Sequence, residues 1–122
     1  MSVARKATLG DSVGVAGSAV APAANAAIVT LGSGSLPAGE YEVRARGMYG
    51  GTADVINNMN LRKGATPIMT LSVSTAINGE PDMTVVPRIT LDGSTALTIN
   101  AVAAGAASTV YRAEIIATRT AE

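Results

Sequence analysis

The side chains of this sequence that could do chemistry are carboxylates, hydroxyls and two lysines. The chain has nine acidic and nine basic residues, and it contains no cysteine and no histidine. Thiolate nucleophiles, Cys/His zinc sites and histidine general bases are therefore excluded. A hydroxyl nucleophile would need Lys6 or Lys63 as its base, and both lie where we expect exposed positions. We predict no catalytic residue and no enzymatic activity.

The carboxylates form no recognisable metal site. Glu80 and Asp82 flank Pro81 in the turn-like stretch NGEPD, which supplies too few oxygen ligands for Ca²⁺. Composition leaves open a pair of acids for glycoside hydrolysis, but a sugar cleft usually carries aromatic platforms, and the chain has three tyrosines, no Phe and no Trp. We expect no metal and no cofactor. Tyr49, beside two glycines, is the exposed candidate for contact with a ligand.

Charge and side-chain size point to contacts with other chains. The acidic and basic residues cancel, so no overall field favours nucleic acid or an anionic membrane. Only 15% of the residues are charged, and the apolar ones are mostly Ala, Val, Ile and Leu. Small side chains bury little area each, so we expect part of the apolar surface to meet another chain. A monomer rich in small residues is the alternative.

The first 24 residues differ from the rest. Arg5 and Lys6 precede an apolar stretch that ends in small residues, as in an export signal, but Asp11, frequent glycines and the lack of a leucine-rich centre argue against one. The stretch also contains too many glycines and serines, together with Pro22, to supply the continuous apolar run that a membrane span needs. We predict an extended arm over 1–24, disordered alone and ordered on another surface. Deleting residues 1–20 should then leave the rest folded.

From residue 25 onward, strand-like runs alternate with turns. Tyr41, Val43 and Ala45 alternate with charged residues, as in a half-buried antiparallel strand. Pro87 predicts an edge strand or a bulge, and Asp92-Gly93 predicts a hairpin. The predicted strands are 26–31, 41 to about 49, 54–63, 67–76, 82–91, 96–102 and 109–119. Residues 25–122 therefore predict one all-β domain, an antiparallel β-sandwich or jelly roll.

The last predicted strand has a second face that suits an interface. Val110, Arg112, Glu114 and Ile116 share this face. Around a symmetry axis, Arg112 of one copy would pair with Glu114 of its neighbour. The alternative is an ordinary solvent face with one ion pair within the strand.

Three motifs resemble a known family. They are LPAGEYEVRARG, NMNLRKG and LDGSTALTINAVAAG, with the matching residues Pro37, Gly39, Tyr41, Val43, Asp92, Gly93, Leu97 and Ile99. Their order, from Leu36 to the end of the chain, resembles the complement- and tumour-necrosis-factor-like jelly roll as used in phage virions. The resemblance covers about residues 26–119 and implies a jelly-roll sandwich.

The resemblance also implies a function. Small domains of this kind are typically homotrimers and resemble capsid decoration, or cement, proteins. Such a protein is made in the host cytoplasm, binds the major capsid protein on the outer surface of the virion and stabilises joints between capsid subunits. From the balanced charge we expect no nucleic-acid and no membrane partner. In the arm, the expected capsid contacts are Val3, Arg5, Lys6, Leu9, Val13 and Val15.

The alternative function is a receptor- or glycan-binding head of a fibre or surface protein, with Tyr49 as the contact. A tail or head-completion component is a further option, which the sequence does not separate from decoration.

Overall fold

The computed structural model describes residues 10–20, 26–51, 59–71, 73–75, 83–101 and 108–121, without the side chains of 19–20, 48–51, 73–75 and 108–111. These ranges contain nine strands: β1 (Ser12–Val20), β2 (Ala27–Leu31), β3 (Gly39–Gly51), β4 (Met59–Lys63), β5 (Thr66–Thr70), β6 (Val73–Thr75), β7 (Thr84–Leu91), β8 (Leu97–Ala101) and β9 (Ser108–Ala121). A single 3-10 turn, Ser33–Ser35, follows β2. Within the described ranges no helix is long and apolar enough to cross a membrane.

The strands form two sheets. Sheet A has the order β1-β9-β3, and the far side of β3 carries both β7 and β6. β7 runs antiparallel along the first half of β3, and β6 runs parallel to its second half, at residues 47–49. Sheet B has the order β2-β8-β4-β5. The two sheets pack face to face.

The pairing order is that of a long hairpin rolled into a sandwich. The chain turns back at residues 63–66, where β4 pairs with β5. Outward from this turn, β3 pairs with β7, β2 with β8 and β1 with β9, all antiparallel. Successive pairs alternate between sheet B and sheet A. This topology is the jelly roll, so the predicted all-β sandwich is confirmed.

The core lies between the sheets and follows the alternation of the strands. Tyr41, Val43 and Ala45 of β3 point inward and are fully buried, as the sequence predicts. The phenol of Tyr41 has a partner, because its hydroxyl donates a hydrogen bond to the carbonyl oxygen of Pro37 over 2.7 Å. The other large, fully buried side chains are Leu36, Met59, Leu61, Leu97, Ile99 and Ile115.

Pro87 lies in an edge strand, as the sequence predicts. β7 pairs only with β3 among the described strands, so it is an edge strand of sheet A. Its register with β3 shifts between Tyr41 and Val43, opposite the stretch that contains Pro87. Pro87 is exposed. Edge strands and bulges tolerate proline because no ladder hydrogen bond is lost there.

The hairpin predicted at Asp92-Gly93 is wrong, although the turn is present. β7 belongs to sheet A and β8 to sheet B, so residues 92–96 cross from one sheet to the other. One carboxylate oxygen of Asp92 accepts hydrogen bonds from the amide of Ser94 and the hydroxyl of Thr95, each over 2.9 Å. Gly93 has φ +88°, a conformation that favours glycine. The Asp-Gly pair makes the turn, and the topology determines which strands it joins.

The N-terminal boundary of the domain also differs from the prediction. Ser12–Val20 is not part of a free arm, because it forms β1 and pairs with β9 from Ser12↔Thr118 to Val20↔Thr109. The pairing begins with a bulge at Gly10, whose φ is +79°. The amide of Gly10 donates to the carbonyl of Arg119 over 2.8 Å, and the amide of Arg119 donates to the carbonyl of Asp11 over 3.0 Å. The described part of the sandwich therefore begins at residue 10, and residues 1–9 of the predicted arm lie outside the described residues.

Candidate functional site

Two of the six predicted arm contacts lie inside the sandwich. Val13 points into the core with 9% of its surface exposed, and Val15 is half-buried against the same core. Val13 is therefore not available to a capsid surface. The other four, Val3, Arg5, Lys6 and Leu9, fall outside the described residues.

The small residues of β1 are explained by close packing. A Cβ atom on Gly14 would lie 2.9 Å from the carbonyl oxygen of Ile115 in β9. A Cβ atom on Gly17 would lie 2.9 Å from a methyl group of Val29 in β2, on the opposite sheet. Real Cβ atoms do not approach other atoms this closely. These glycines let β1 approach both of its neighbours.

The predicted interface on β9 lies on the outer face of sheet A. Arg112 is exposed, and Glu114 and Ile116 are partly buried. The guanidinium of Arg112 lies 3.3 Å from one carboxylate oxygen of Glu114. This is the ion pair within the strand that the sequence leaves open as the alternative. The side chain of Val110 is outside the described part of the chain.

Glu114 has a second partner that the sequence does not reveal. Arg46 of β3 donates to its other carboxylate oxygen from Nε over 3.0 Å and from Nη2 over 2.9 Å. The side chains of Arg46 and Glu114 are 22% and 17% exposed. Glu114 is thus held by two arginines of its own chain, and a bond to a neighbouring copy would compete with them.

Further ion pairs continue across the same face. Arg44 lies 3.0 Å from Glu42 within β3, and Nε of Arg88 in β7 donates to Glu40 over 2.9 Å. When the two ion pairs of Glu114 are included, four arginines form ion pairs with three glutamates on this face. Opposite charges are therefore interleaved on this face.

The outer face of sheet B is built from hydroxyl and amide groups instead. The hydroxyl of Thr98 donates to the side-chain oxygen of Asn100 over 2.6 Å, and the hydroxyl of Thr70 donates to that of Asn60 over 3.3 Å. Asn100 is only 6% exposed although it points away from the core. Arg62, on the same face of β4, is the charged residue beside this polar row. The two outer faces therefore differ in chemistry.

Tyr49 lies near the end of β3. β3 continues to Gly51, and Tyr49 pairs with Thr75 of β6 on one side and with Val110 of β9 on the other. Its side chain is outside the described part, so its contact with a ligand stays a prediction. The predicted turn with Glu80 and Asp82 also lies outside the described residues.

Two shallow depressions flank the 3-10 turn at one end of the sandwich. One, of about 270 Å³, is lined by Ser12, Val13, Gly14, Leu31 and Ser35. The other, of about 290 Å³, is lined by Ser33, Gly34, Pro37 and Gly93. None of the described residues that line either depression has a titratable side chain. Among the described residues no three acidic side chains come together in a way that could hold a metal ion.

No protein-family model matches this sequence, and neither the curated proteins nor the solved structures give a match.

Proposed function

We propose that this chain is a structural protein of a phage virion, a decoration or cement protein that binds the outside of the head. It acts as a homotrimer and binds the major capsid protein. It stabilises joints between capsid subunits by burying additional surface across them, without a chemical step.

The jelly roll is the observation that supports this proposal most. It is the fold that the resemblance of the three sequence motifs implies, and the strand order β1-β9-β3-β7 over β2-β8-β4-β5 agrees with it. Because one fold serves many functions, the functional step rests on the motifs themselves. Tyr41 and Val43 of the first motif are core residues of β3, and Gly93 of the third makes the turn before β8.

The surface supports association through buried area rather than through charge. β1 carries no charged residue over its whole length, and three glutamates of sheet A form ion pairs with four of its arginines. A protein that binds the assembled shell and not its free subunits stabilises the shell by mass action. At a hundred times the dissociation constant this amounts to about 2.7 kcal/mol per site.

The arm has a smaller role in this proposal than the sequence predicts. Residues 12–20 are built into sheet A, so capsid contacts of the arm are limited to Val3, Arg5, Lys6 and Leu9. These residues precede Gly10, where the described chain enters the sandwich beside Arg119.

The test uses empty heads of the phage whose genome encodes this chain. The purified protein should co-sediment with them, saturate at a fixed ratio to the capsid protein and raise the temperature at which the shells break. Light scattering of the free protein should give three times the mass of the chain. A monomer that does not co-sediment would refute the proposal.

Two variants sharpen this test. A chain that lacks residues 2–9 should bind heads more weakly, whereas Tyr49→Ala should bind them like the unaltered protein. If Tyr49→Ala abolishes binding to cells and the protein binds defined sugars on a glycan array, the receptor-binding alternative replaces decoration.

A further inference from the structure

The edge strands of the two sheets differ in how well they are protected from pairing with other chains. At the far edge of sheet A, β7 carries Pro87, the exposed Arg88 and a register shift. In sheet B, the edge strand β5 contains Pro67, and β2 is five residues long with a register shift after Ala27. Prolines, charges, bulges and short length are the usual means by which proteins prevent edge strands from pairing with other chains.

β1 has little of this protection. It is nine residues long, and the sequence SVGVAGSAV contains no charge and no proline. Among the described strands only β9 pairs with it, so its other side is an open edge of sheet A. After the bulge at Gly10 the ladder is regular from Ser12 to Gly17, and its register shifts between Gly17 and Ala19.

The backbone groups at this open edge can be assigned. The carbonyl of Asp11 bonds to β9. Since the backbone groups of an antiparallel strand alternate between its two sides, Val13 and Val15 also bond to β9. The amides and carbonyls of Ser12, Gly14 and Ala16 then point to the open edge. All three residues are exposed, and their side chains are too small to obstruct another strand.

We infer that the open edge of β1 pairs with β1 of a second copy, antiparallel and about a two-fold axis at Val15. The second copy fits because both edges are uncharged and neither buries an unpaired charge. In this register Gly14 pairs with Ala16 of the other copy, and Ser12 pairs with Ser18. Val15 faces its own equivalent in a pair without mutual hydrogen bonds, where side chains approach most closely. Val15 is half-buried in one copy, and this contact covers the rest of it.

The contact is weak by itself and separate from a trimer. One pair of short strands with small side chains buries less than the roughly 1,200 Å² of a standard interface. A two-fold contact cannot close a three-fold ring, so it links one trimer to the next. On a shell surface, where copies are held side by side, a high local concentration makes such a contact effective. The pairing itself does not depend on the capsid function.

The test is disulfide trapping in the purified protein, with no capsid present. The chain has no cysteine, so each variant carries a single thiol: Val15→Cys, Val13→Cys on the same face of β1, and Thr90→Cys on β7 as a surface control. In the inferred register the two thiols introduced by Val15→Cys come within disulfide distance, whereas a cysteine at position 13 faces Gly17 of the other copy. Oxidised glutathione accepts the two electrons released when the disulfide forms.

Val15→Cys should form covalent dimers at least about tenfold faster than either other variant. Adding Ala16→Pro to Val15→Cys should abolish the dimers, because it removes an amide at the open edge and leaves the ladder with β9 intact. The urea midpoint of each reduced variant shows that it is folded. Equal rates for all three cysteine variants would overturn the inference. Faster cross-linking of Val13→Cys would overturn the register.

Discussion

Removing β1 should cost the domain much of its stability, and this distinguishes a strand from an arm. We compare the full chain with two truncations, one that begins at residue 10 and one that begins at residue 21. The first keeps the bulge at Gly10 and all of β1. The second removes β1 and exposes the edge of β9. If β1 were a free arm, both truncations would have the stability of the full chain.

The size of the effect follows from two valines. Burying a valine stabilises a fold by about 1.5–3 kcal/mol, so Val13, which is 9% exposed, contributes about this amount. Val15 is half-buried and contributes about half as much. The backbone hydrogen bonds of β1 are largely offset by the entropy lost in ordering nine residues. The truncation at residue 21 should therefore lose about 2–4 kcal/mol, against the 5–15 kcal/mol typical of a whole domain.

Urea unfolding followed by far-UV circular dichroism measures this loss. With a slope of about 1–3 kcal/mol per molar urea, the midpoint should fall by about 0.7–4 M for the truncation at residue 21. The truncation at residue 10 should keep the midpoint of the full chain, which also makes it the right variant for testing the arm. Equal midpoints for all three chains would show that β1 adds nothing to the sandwich and would refute the reasoning.

Further predictions concern Tyr41, Gly93 and the ion pair between Arg46 and Glu114. Tyr41→Phe leaves the carbonyl of Pro37 without its hydrogen bond and should lower the free energy of unfolding by about 1–2 kcal/mol. Burial raises the pKa of Tyr41 above its ordinary 10.0, so above pH 10 the phenol ionises in the unfolded chain before it ionises in the folded protein. As the pH rises above 10, the free energy of unfolding of the unaltered protein should therefore fall by more than that of Tyr41→Phe, as measured by urea titrations. Gly93→Ala places a side chain on a residue with φ +88° and brings its Cβ atom within 3.1 Å of the amide nitrogen of Ala38. In thermal unfolding this variant should lose about 1–2 kcal/mol of unfolding free energy, and Gly93→Asn should lose less because asparagine tolerates a positive φ better. A double-mutant cycle on Arg46 and Glu114 should give a coupling of about 1–2 kcal/mol, above the 0–1 kcal/mol of exposed pairs.

The sequence predicts those strands whose side chains alternate clearly. β3 alternates apolar and charged residues, so both its existence and its buried face can be predicted. Pro87 marks an edge strand because the loss of a backbone donor is a local property. In both cases the prediction depends only on residues within the strand itself.

No pattern within β1 predicts a strand. Its glycines, alanines and serines have the composition of a linker, and the reason for Gly14 and Gly17 lies in Ile115 and Val29, which are distant in sequence. The same limit applies to Glu114, whose stronger partner Arg46 lies 68 residues away. A pattern within one segment does not show which distant segment will pack against it.

The rolled-hairpin topology has a consequence for how the chain folds. The innermost pair closes across the short turn between Lys63 and Thr66, whereas the outermost pair joins Ser12 to Thr118, 106 residues apart. The entropy of closing a loop rises with its length, and chains dominated by distant contacts fold slowly. During synthesis, β1 can pair with β9 only once β9, the last of the nine described strands, has left the ribosome. Sheet A is therefore completed late relative to the β4–β5 hairpin, which can form as soon as its two strands are made.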